Sequence, residues 1–180
     1  MYKRITRLFN GVFKEGDEIL LVTDVHCNKG DSFLQKKPLN VYRKYVKDKK
    51  TLAKLRHKVL PSVFIDDEDD EDDEDYSLDV THRFVLPCTK NEIRYIPLLL
   101  AISYEDFRHP SCILKSIPQY GYDIYFVNIT KKMIYHLYDD RGCDVLASDK
   151  EDLRYLYQEY NDWILDYDRK EIDQLFEVEF

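Results

Sequence analysis

The sequence has no apolar segment long enough to form a membrane-spanning helix. Its longest nearly continuous apolar stretch is IPLLLAI at 96–102, far shorter than the roughly 20 residues that cross a bilayer. The N-terminus, MYKRITRLFNGVFK, lacks the uninterrupted apolar core of a signal peptide. We therefore expect a cytoplasmic protein with no membrane partner.

Glycine and cysteine are also sparse, and their placement excludes several kinds of site. The five glycines form no phosphate-binding loop, and the chain contains neither a G-x-S-x-G elbow nor an H-E-x-x-H helix. The four cysteines, Cys27, Cys88, Cys112 and Cys143, form no C-x-x-C pair. Neither a zinc site nor a cofactor is predicted, and we expect the thiols to be buried or half-buried.

Charge is abundant but unevenly distributed along the chain. The net charge is −8, yet residues 1–60 contain 15 Lys/Arg against six Asp/Glu, whereas residues 76–180 contain 12 against 19. Ten consecutive acids separate these regions, and because like charges repel we expect a mobile surface loop there. This acidic run is a predicted binding element, and its members are Asp66, Asp67, Glu68, Asp69, Asp70, Glu71, Asp72, Asp73, Glu74 and Asp75.

Apolar residues at helical spacing predict helices in the first hundred residues. One covers 2–13, and another covers 49–60 and ends at Pro61. Asn91 is predicted to cap a third helix. The apolar residues of that third helix are Ile93, Ile96, Leu99 and Leu100.

Strand patterns are clearest in the last sixty residues. Segments 122–129 and 133–140 alternate with period two around a short turn, which predicts a hairpin, and 141–147 supplies a third strand. Earlier in the chain, 16–25 and 80–87 also read as strands. The sequence thus indicates an antiparallel sheet.

Two helices are predicted after these strands. Ser148 and Glu151 fit an S-x-x-E capping box at the start of the first. The order β-β-β-α-α predicts an α+β fold with helices on one face of an antiparallel sheet, within a single domain of residues 1–180. The apolar residues of these helices are Leu153, Leu156, Tyr157, Tyr160 and Ile164, then Ile172, Leu175 and Phe176.

The segment IYHLYDDRGCDVLA contains the densest group of polar residues outside the acidic run. Its structural interpretation is a turn in which Asp140 bonds its own backbone and Gly142 supplies a positive φ. Arg141 lies between Asp140 and Asp144 in sequence and could bridge to either. This interpretation requires no chemistry.

The functional interpretation of the same segment requires several side chains to converge. His136, Asp139, Asp140 and Asp144 could hold a hard cation such as Mg²⁺. Alternatively, one carboxylate with a raised pKa could act in a general acid–base pair. The sequence supplies no other part of an active site.

The C-terminal half resembles a known family of bacterial proteins. The shared features are the Tyr-Asp-Asp-Arg-Gly turn, a Leu-Tyr-x-x-Tyr helix, and Trp163 followed by Asp-Tyr-Asp-Arg at 166–169, together with RFVLPC and LLLAISYEDF upstream. Over roughly residues 80–177 the chain is similar to domain-of-unknown-function family 3885. The resemblance implies a small cytoplasmic protein of Bacillus-type bacteria, and it brings no reaction or catalytic residue.

Three functions remain open. The first is a non-enzymatic immunity or antitoxin protein that blocks a basic toxin domain, with Asp139, Asp140, Arg141 and Asp144 shaping its binding turn and the acidic run attracting the partner. The second is a metal-assisted enzyme acting through His136 and the same Asp residues. The third is a nucleic-acid-associated protein that uses the basic N-terminal third, although the acidic run disfavours it.

Overall fold

A computed structural model describes residues 2–28, 42–61, 79–104 and 122–176. Within them, six antiparallel strands form one open sheet in the order β2-β3-β1-β4-β5-β6. The strands are β1 Glu18–Asn28, β2 Arg56–Pro61, β3 Asp79–Thr89, β4 Tyr122–Asn128, β5 Met133–Leu137 and β6 Cys143–Ala147. The α-helices with defined bounds are α1 Tyr2–Val12, α2 Lys49–Leu52, α3 Tyr95–Ser103, α4 Arg154–Tyr160 and α5 Asp166–Phe176, and residues 42–45 are helical as well. The predicted α+β class is confirmed.

Successive side chains along β1 point alternately to the two faces of the sheet. Ile19, Leu21 and Val25 are at most 1% exposed and point into the core, whereas Leu20 and Val22 between them are half-buried. The side that carries Ile19 is the core face. Because α1, α3 and α4 contribute residues to the same apolar cluster as this face, the core lies between the sheet and these helices.

An aromatic cluster joins α1 to the sheet. The Phe9 ring stacks on Phe13 at 4.5 Å and on Tyr95 of α3 at 4.9 Å. Edge-on contacts with Phe126 of β4 at 5.0 Å and Tyr135 of β5 at 5.5 Å complete it. These five rings connect two helices with two central strands, which places the amphipathic face of α1 at the centre of the core.

The helix predicted over 49–60 is wrong for most of its length. Only Lys49–Leu52 is helical, with the Asp48 side chain accepting from the Thr51 backbone N–H at 2.8 Å. Residues Arg56–Pro61 instead pair with β3 as an edge strand. Hydrogen bonds to a neighbouring strand outweigh the helical spacing of a few leucines, and Pro61 is acceptable at the end of an edge strand.

Two predicted helix caps lie on neighbouring residues instead. Thr89, not Asn91, forms a capping box with Glu92 at a 3-10 turn covering Lys90–Glu92, ahead of α3. At the other site Asp149, not Ser148, accepts the Glu151 backbone N–H at 2.9 Å in the 3-10 turn Lys150–Leu153, which leads into α4. The competing side chains, Thr89 and Asn91 at one site and Ser148 and Asp149 at the other, are one or two residues apart, so local sequence does not choose between them.

Several predictions fall outside the described residues. These are the acidic run from Asp66 to Asp75 and the environment of Cys112. Cys27 and Cys88 are buried and Cys143 is half-buried, all as free thiols. Burial raises the pKa of Cys88 to about 12 and that of Cys143 to about 11. A single domain stays a prediction.

Candidate functional site

The polar turn between β5 and β6 is built around Asp139. This residue is 4% exposed, and its carboxylate accepts the Arg141 backbone N–H and Nε–H at 2.6 Å each. Burial acts to raise the pKa of Asp139, but the hydrogen bonds from Arg141 outweigh it and the pKa is lowered. The structure pairs Arg141 with Asp139, a partner that the sequence did not predict, and bridges from Arg141 to Asp140 or Asp144 stay a prediction.

Gly142 is needed in this turn for a different reason from the one predicted. It is not among the residues with positive φ, which in the described chain are Gly16 and Lys132. Instead, a Cβ at Gly142 would overlap the Tyr138 hydroxyl and lie 3.0 Å from its Cζ. Close packing of the tyrosine against the backbone thus requires glycine.

The four candidate metal ligands are divided between different environments. His136 and Asp144 face each other across β5 and β6, and Asp144 is exposed. Asp139 is engaged by Arg141, and Asp140 is half-buried in the turn. Within the described residues, no three His, Cys, Asp or Glu side chains are grouped closely enough to hold a metal ion.

A larger polar cluster lies on the side of the sheet opposite the core face, which we call the outer face. Strand register places side chains from all six strands on it. They include Lys58, Arg83, Val85, Pro87, Leu20, Val22, Asp24, His26, Asp123, Tyr125, Val127, Ile134, His136, Asp144 and Leu146.

Four strands contribute the charged centre of this cluster. Asp24 is 4% exposed and receives two hydrogen bonds from Arg83, Nε–H at 2.8 Å and Nη2–H at 2.6 Å. Asp123, directly opposite Asp24 on β4, lies 2.9 Å from His26 Nε2 and 3.8 Å from His136 Nε2. The hydrogen bond from His26 and the nearby imidazole of His136 lower the pKa of Asp123 despite its partial burial.

The cluster includes a chain of contacts with the connectivity of a catalytic triad. His26 Nδ1 lies 2.9 Å from Thr81 Oγ1, while Nε2 faces Asp123. Since an ionised carboxylate only accepts, Nε2 carries the proton and, in the neutral ring, Nδ1 accepts from the Thr81 hydroxyl. A threonine nucleophile activated by histidine has this order. Thr81 is 0% exposed, however, so a substrate does not reach its hydroxyl in this conformation.

Beside the polar cluster, the outer face carries a continuous apolar row. Register places Pro87, Leu20, Val127, Ile134 and Leu146 opposite one another across five neighbouring strands. Exposure increases toward the β6 edge, to 37% at Ile134 and 54% at Leu146. An exposed aliphatic pair at a sheet edge, next to the exposed Asp144, is a feature of binding surfaces.

The basic residues proposed for nucleic-acid binding are surface groups. Lys44, Lys47, Lys49 and Lys50 are all exposed, and Lys44 lies over the Tyr45 ring at 5.1 Å. Lys49 and Lys50 lie on α2, whose four residues are too few for groove docking. The nucleic-acid interpretation stays a prediction.

Sequence reasoning missed most of the outer-face cluster. Only His136 and Asp144 were candidates, whereas Asp24, His26 and Asp123 were not. The alternation of Asp24 and His26 within an otherwise apolar strand was the available signal, because it places two polar groups on one face. Their partners lie 55 to 97 residues away in the chain, and local pattern does not reveal such pairing.

The fold and site define an α+β protein with an open antiparallel sheet, helices over its core face and a satisfied polar cluster on its outer face. The chain belongs to the family described as domain of unknown function (DUF3885), whose model matches residues 1–168. The match thus includes the N-terminal third, beyond the 80–177 resemblance seen in the sequence.

Among curated proteins, the chain is similar to the uncharacterized protein YnaE of Bacillus subtilis (strain 168). The two are 34% identical over 173 residues, which cover 93% of this chain and 74% of that protein. No solved structure matches the chain. None of the helices in the described ranges combines the length and apolar character needed to cross a bilayer.

Proposed function

We propose that this protein is a non-catalytic binding module of the immunity or antitoxin type, which neutralises a basic toxin domain through the outer face near β6. The observation that carries the proposal is the exposed Ile134–Leu146 pair beside the exposed Asp144. An apolar centre with a charged rim is the arrangement of a protein-binding surface.

Charge supports a basic partner. Asp144 is exposed on β6, and the chain after the acidic run has 19 acidic residues against 12 basic ones. In the sequence, the acidic run falls between the residues of β2 and those of β3. A negatively charged surface accelerates the encounter with a basic protein and disfavours binding of acidic proteins. The apolar pair would then supply the short-range contact that slows dissociation.

The state of the polar cluster favours binding over catalysis. Asp24 is held by two hydrogen bonds from Arg83, and the Asp123 carboxylate faces two imidazoles. Groups satisfied in this way stiffen a surface, whereas a catalytic group needs a free lone pair or proton directed at a substrate. The turn at Asp139 has the same satisfied character.

The test compares four forms of the protein as affinity baits in bacterial lysate, at low and at physiological salt. They are the wild type, Leu146→Asp, a Gly/Ser replacement of 66–75, and Ile96→Asp as the matched control. Ile96 is 45% exposed in the first turn of α3, where a carboxylate is well tolerated. Captured proteins are identified and purified, and their dissociation constants are measured with each form.

We expect one basic protein to bind the wild type and Ile96→Asp equally. Leu146→Asp should weaken that interaction by tenfold or more, and the 66–75 replacement should weaken it most at low salt. Capture that is indifferent to Leu146→Asp would show that the outer face is not the binding surface. Recovery of only acidic proteins or nucleic acid would contradict the charge argument.

A further inference from the structure

On the opposite side of the sheet from the outer face, a cavity of about 710 Å³ lies between α1, the β5–β6 hairpin, α4 and α5. Leu8 of α1, Val145 of β6, Leu153 and Ile172 are among its apolar lining residues. Trp163, in the 3-10 turn Asn161–Trp163 between α4 and α5, lines it as well. The cavity therefore has walls from both the sheet and the helices.

Its size distinguishes the cavity from a packing defect. Protein interiors contain few voids larger than a water molecule, whereas sites for small ligands measure roughly 300–1,000 Å³. The surrounding side chains also remain half-buried: Tyr157 on α4 and Ile172 on α5, together with Leu153 just before α4 and Ile164 between the two helices. An occupant would bury this remaining apolar surface, which favours binding by about 25 cal/mol per Å².

The charged residues that line the cavity are of both signs, three acidic and three basic. Asp139 and Arg141 form an ion pair with each other, and the Arg4 guanidinium lies 5.5 Å from the centre of the Trp163 ring. The remaining charged lining residues are Lys150, Asp140 and Asp168, of both signs. An ionic ligand would meet opposing charges and gain little from either, so the wall selects against net charge.

Two polar groups that line the cavity are available to a ligand. In the described part of the chain, neither the Tyr138 hydroxyl nor the Trp163 indole N–H has a hydrogen-bond partner, and both residues line the cavity. Each can donate to a carbonyl or ether oxygen. We propose that the cavity between α1, the β5–β6 hairpin and the two C-terminal helices binds an uncharged, mainly apolar small molecule that carries an oxygen acceptor.

Trp163 makes the proposal directly measurable, because it is the only tryptophan in the chain. Titration of the full-length protein with the uncharged fluorophore Nile red, which carries a carbonyl, should quench Trp163 emission saturably with one site per chain. An anionic naphthalene sulfonate and a cationic alkylammonium of similar size should bind at least tenfold more weakly. Dissociation constants are taken from Trp163 emission alone.

Adjacent residues on β6 provide the matched variants. Val145 lines the cavity, whereas Leu146 lies on the outer face. Val145→Phe should reduce Nile red affinity tenfold or more by filling the cavity, and Leu146→Phe should leave it unchanged. Leu153→Phe repeats the test from the 3-10 turn that precedes α4, with far-UV circular dichroism confirming that each variant is folded.

Three results would overturn the proposal. One is the absence of saturable Trp163 quenching by the neutral probe. Another is equal affinity in Val145→Phe, Leu153→Phe and Leu146→Phe, which would place the probe elsewhere. The third is tighter binding of either charged probe, which would contradict the argument from lining charges of both signs. None of these results depends on whether the outer face binds a protein.

Discussion

Among the three glycines in the described residues, Gly142 is the one at which an added methyl group meets the closest neighbour. An added Cβ overlaps the Tyr138 hydroxyl, and overpacking of this kind costs about 1–3 kcal/mol. We predict that Gly142→Ala lowers the free energy of unfolding by that amount in urea denaturation. In a Tyr138→Phe background the loss should shrink, because the hydroxyl is gone.

Gly16 provides the control for this prediction. Its φ is +85°, and nothing lies within 4 Å of an added Cβ. Gly16→Ala should also be destabilising, through backbone strain, but Tyr138→Phe should not relieve it. An equal response of both glycine variants to Tyr138→Phe would contradict the steric explanation for Gly142.

The Asp24–Arg83 pair should respond asymmetrically to the loss of either partner. Arg83→Met leaves a 4%-exposed carboxylate opposite a second one, Asp123, and should cost about 3–5 kcal/mol. Asp24→Asn leaves an arginine whose side chain is 43% exposed, so water compensates it and the loss should be smaller. If urea unfolding gave the same loss of unfolding free energy for both variants, the burial of Asp24 would not explain how the pair contributes to stability.

At the scale of elements, the β2–β3 edge should be sensitive to mild acid. His57 Nε2 lies 2.8 Å from His82 Nδ1, and His57 stacks on Phe84 at 4.4 Å. Burial, followed by the neighbouring His57, lowers the pKa of His82 from its ordinary value of 6.5. A single N–H between the two imidazoles satisfies this contact, whereas two protonated, positively charged rings would repel each other.

The folded protein thus binds fewer protons at His82 than the unfolded chain. The contribution of His82 to the free energy of unfolding is therefore fully present above pH 6.5. It is lost as the pH falls below 6.5 toward the lowered pKa of His82 in the folded protein. We predict that thermal midpoints of the wild type fall between about pH 6.5 and pH 5, and that His82→Gln reduces this slope. A slope unchanged by the substitution would assign the acid sensitivity elsewhere.

The elements also show where pattern reading succeeds. The first helix, the 122–137 hairpin and strand β6 follow from period 3.6 or period 2 and from turn residues, all of which are local. The helix prediction for 49–60 is wrong because the leucines fit helical spacing, whereas the backbone of residues 56–61 pairs with β3. An edge strand with basic residues such as Arg56 and Lys58 on its outer-face side has no strong local signature.

At the scale of the whole molecule, one apolar core connects α1 and α3 with the central strands. Phe9 is 0% exposed and contacts four other rings, so Phe9→Ala should lower the free energy of unfolding by about 3–5 kcal/mol. Phe9→Leu, which keeps most of the volume, should cost less. Circular dichroism and Trp163 emission should give coincident transitions in both variants.

Coincidence of the two probes also tests the single-domain prediction. Circular dichroism reports mainly on the sheet and helices together, whereas Trp163 reports on the C-terminal helices. If Phe9→Ala shifted the first transition and left the second in place, α4 and α5 would form a separate cooperative unit.

The sequence by itself determined the class of fold, the main strands and helices, and the uneven charge, because these depend on composition and on spacing within a few residues. Only the tertiary structure decided that Asp24, His26, Arg83, Asp123 and His136 share one surface. It also decided that Arg141 pairs with Asp139 and that α1, the β5–β6 hairpin and the C-terminal helices line one open cavity. The physical reason is that strand register between distant segments sets these contacts, and a shift of one residue would move every side chain of a strand to the other face.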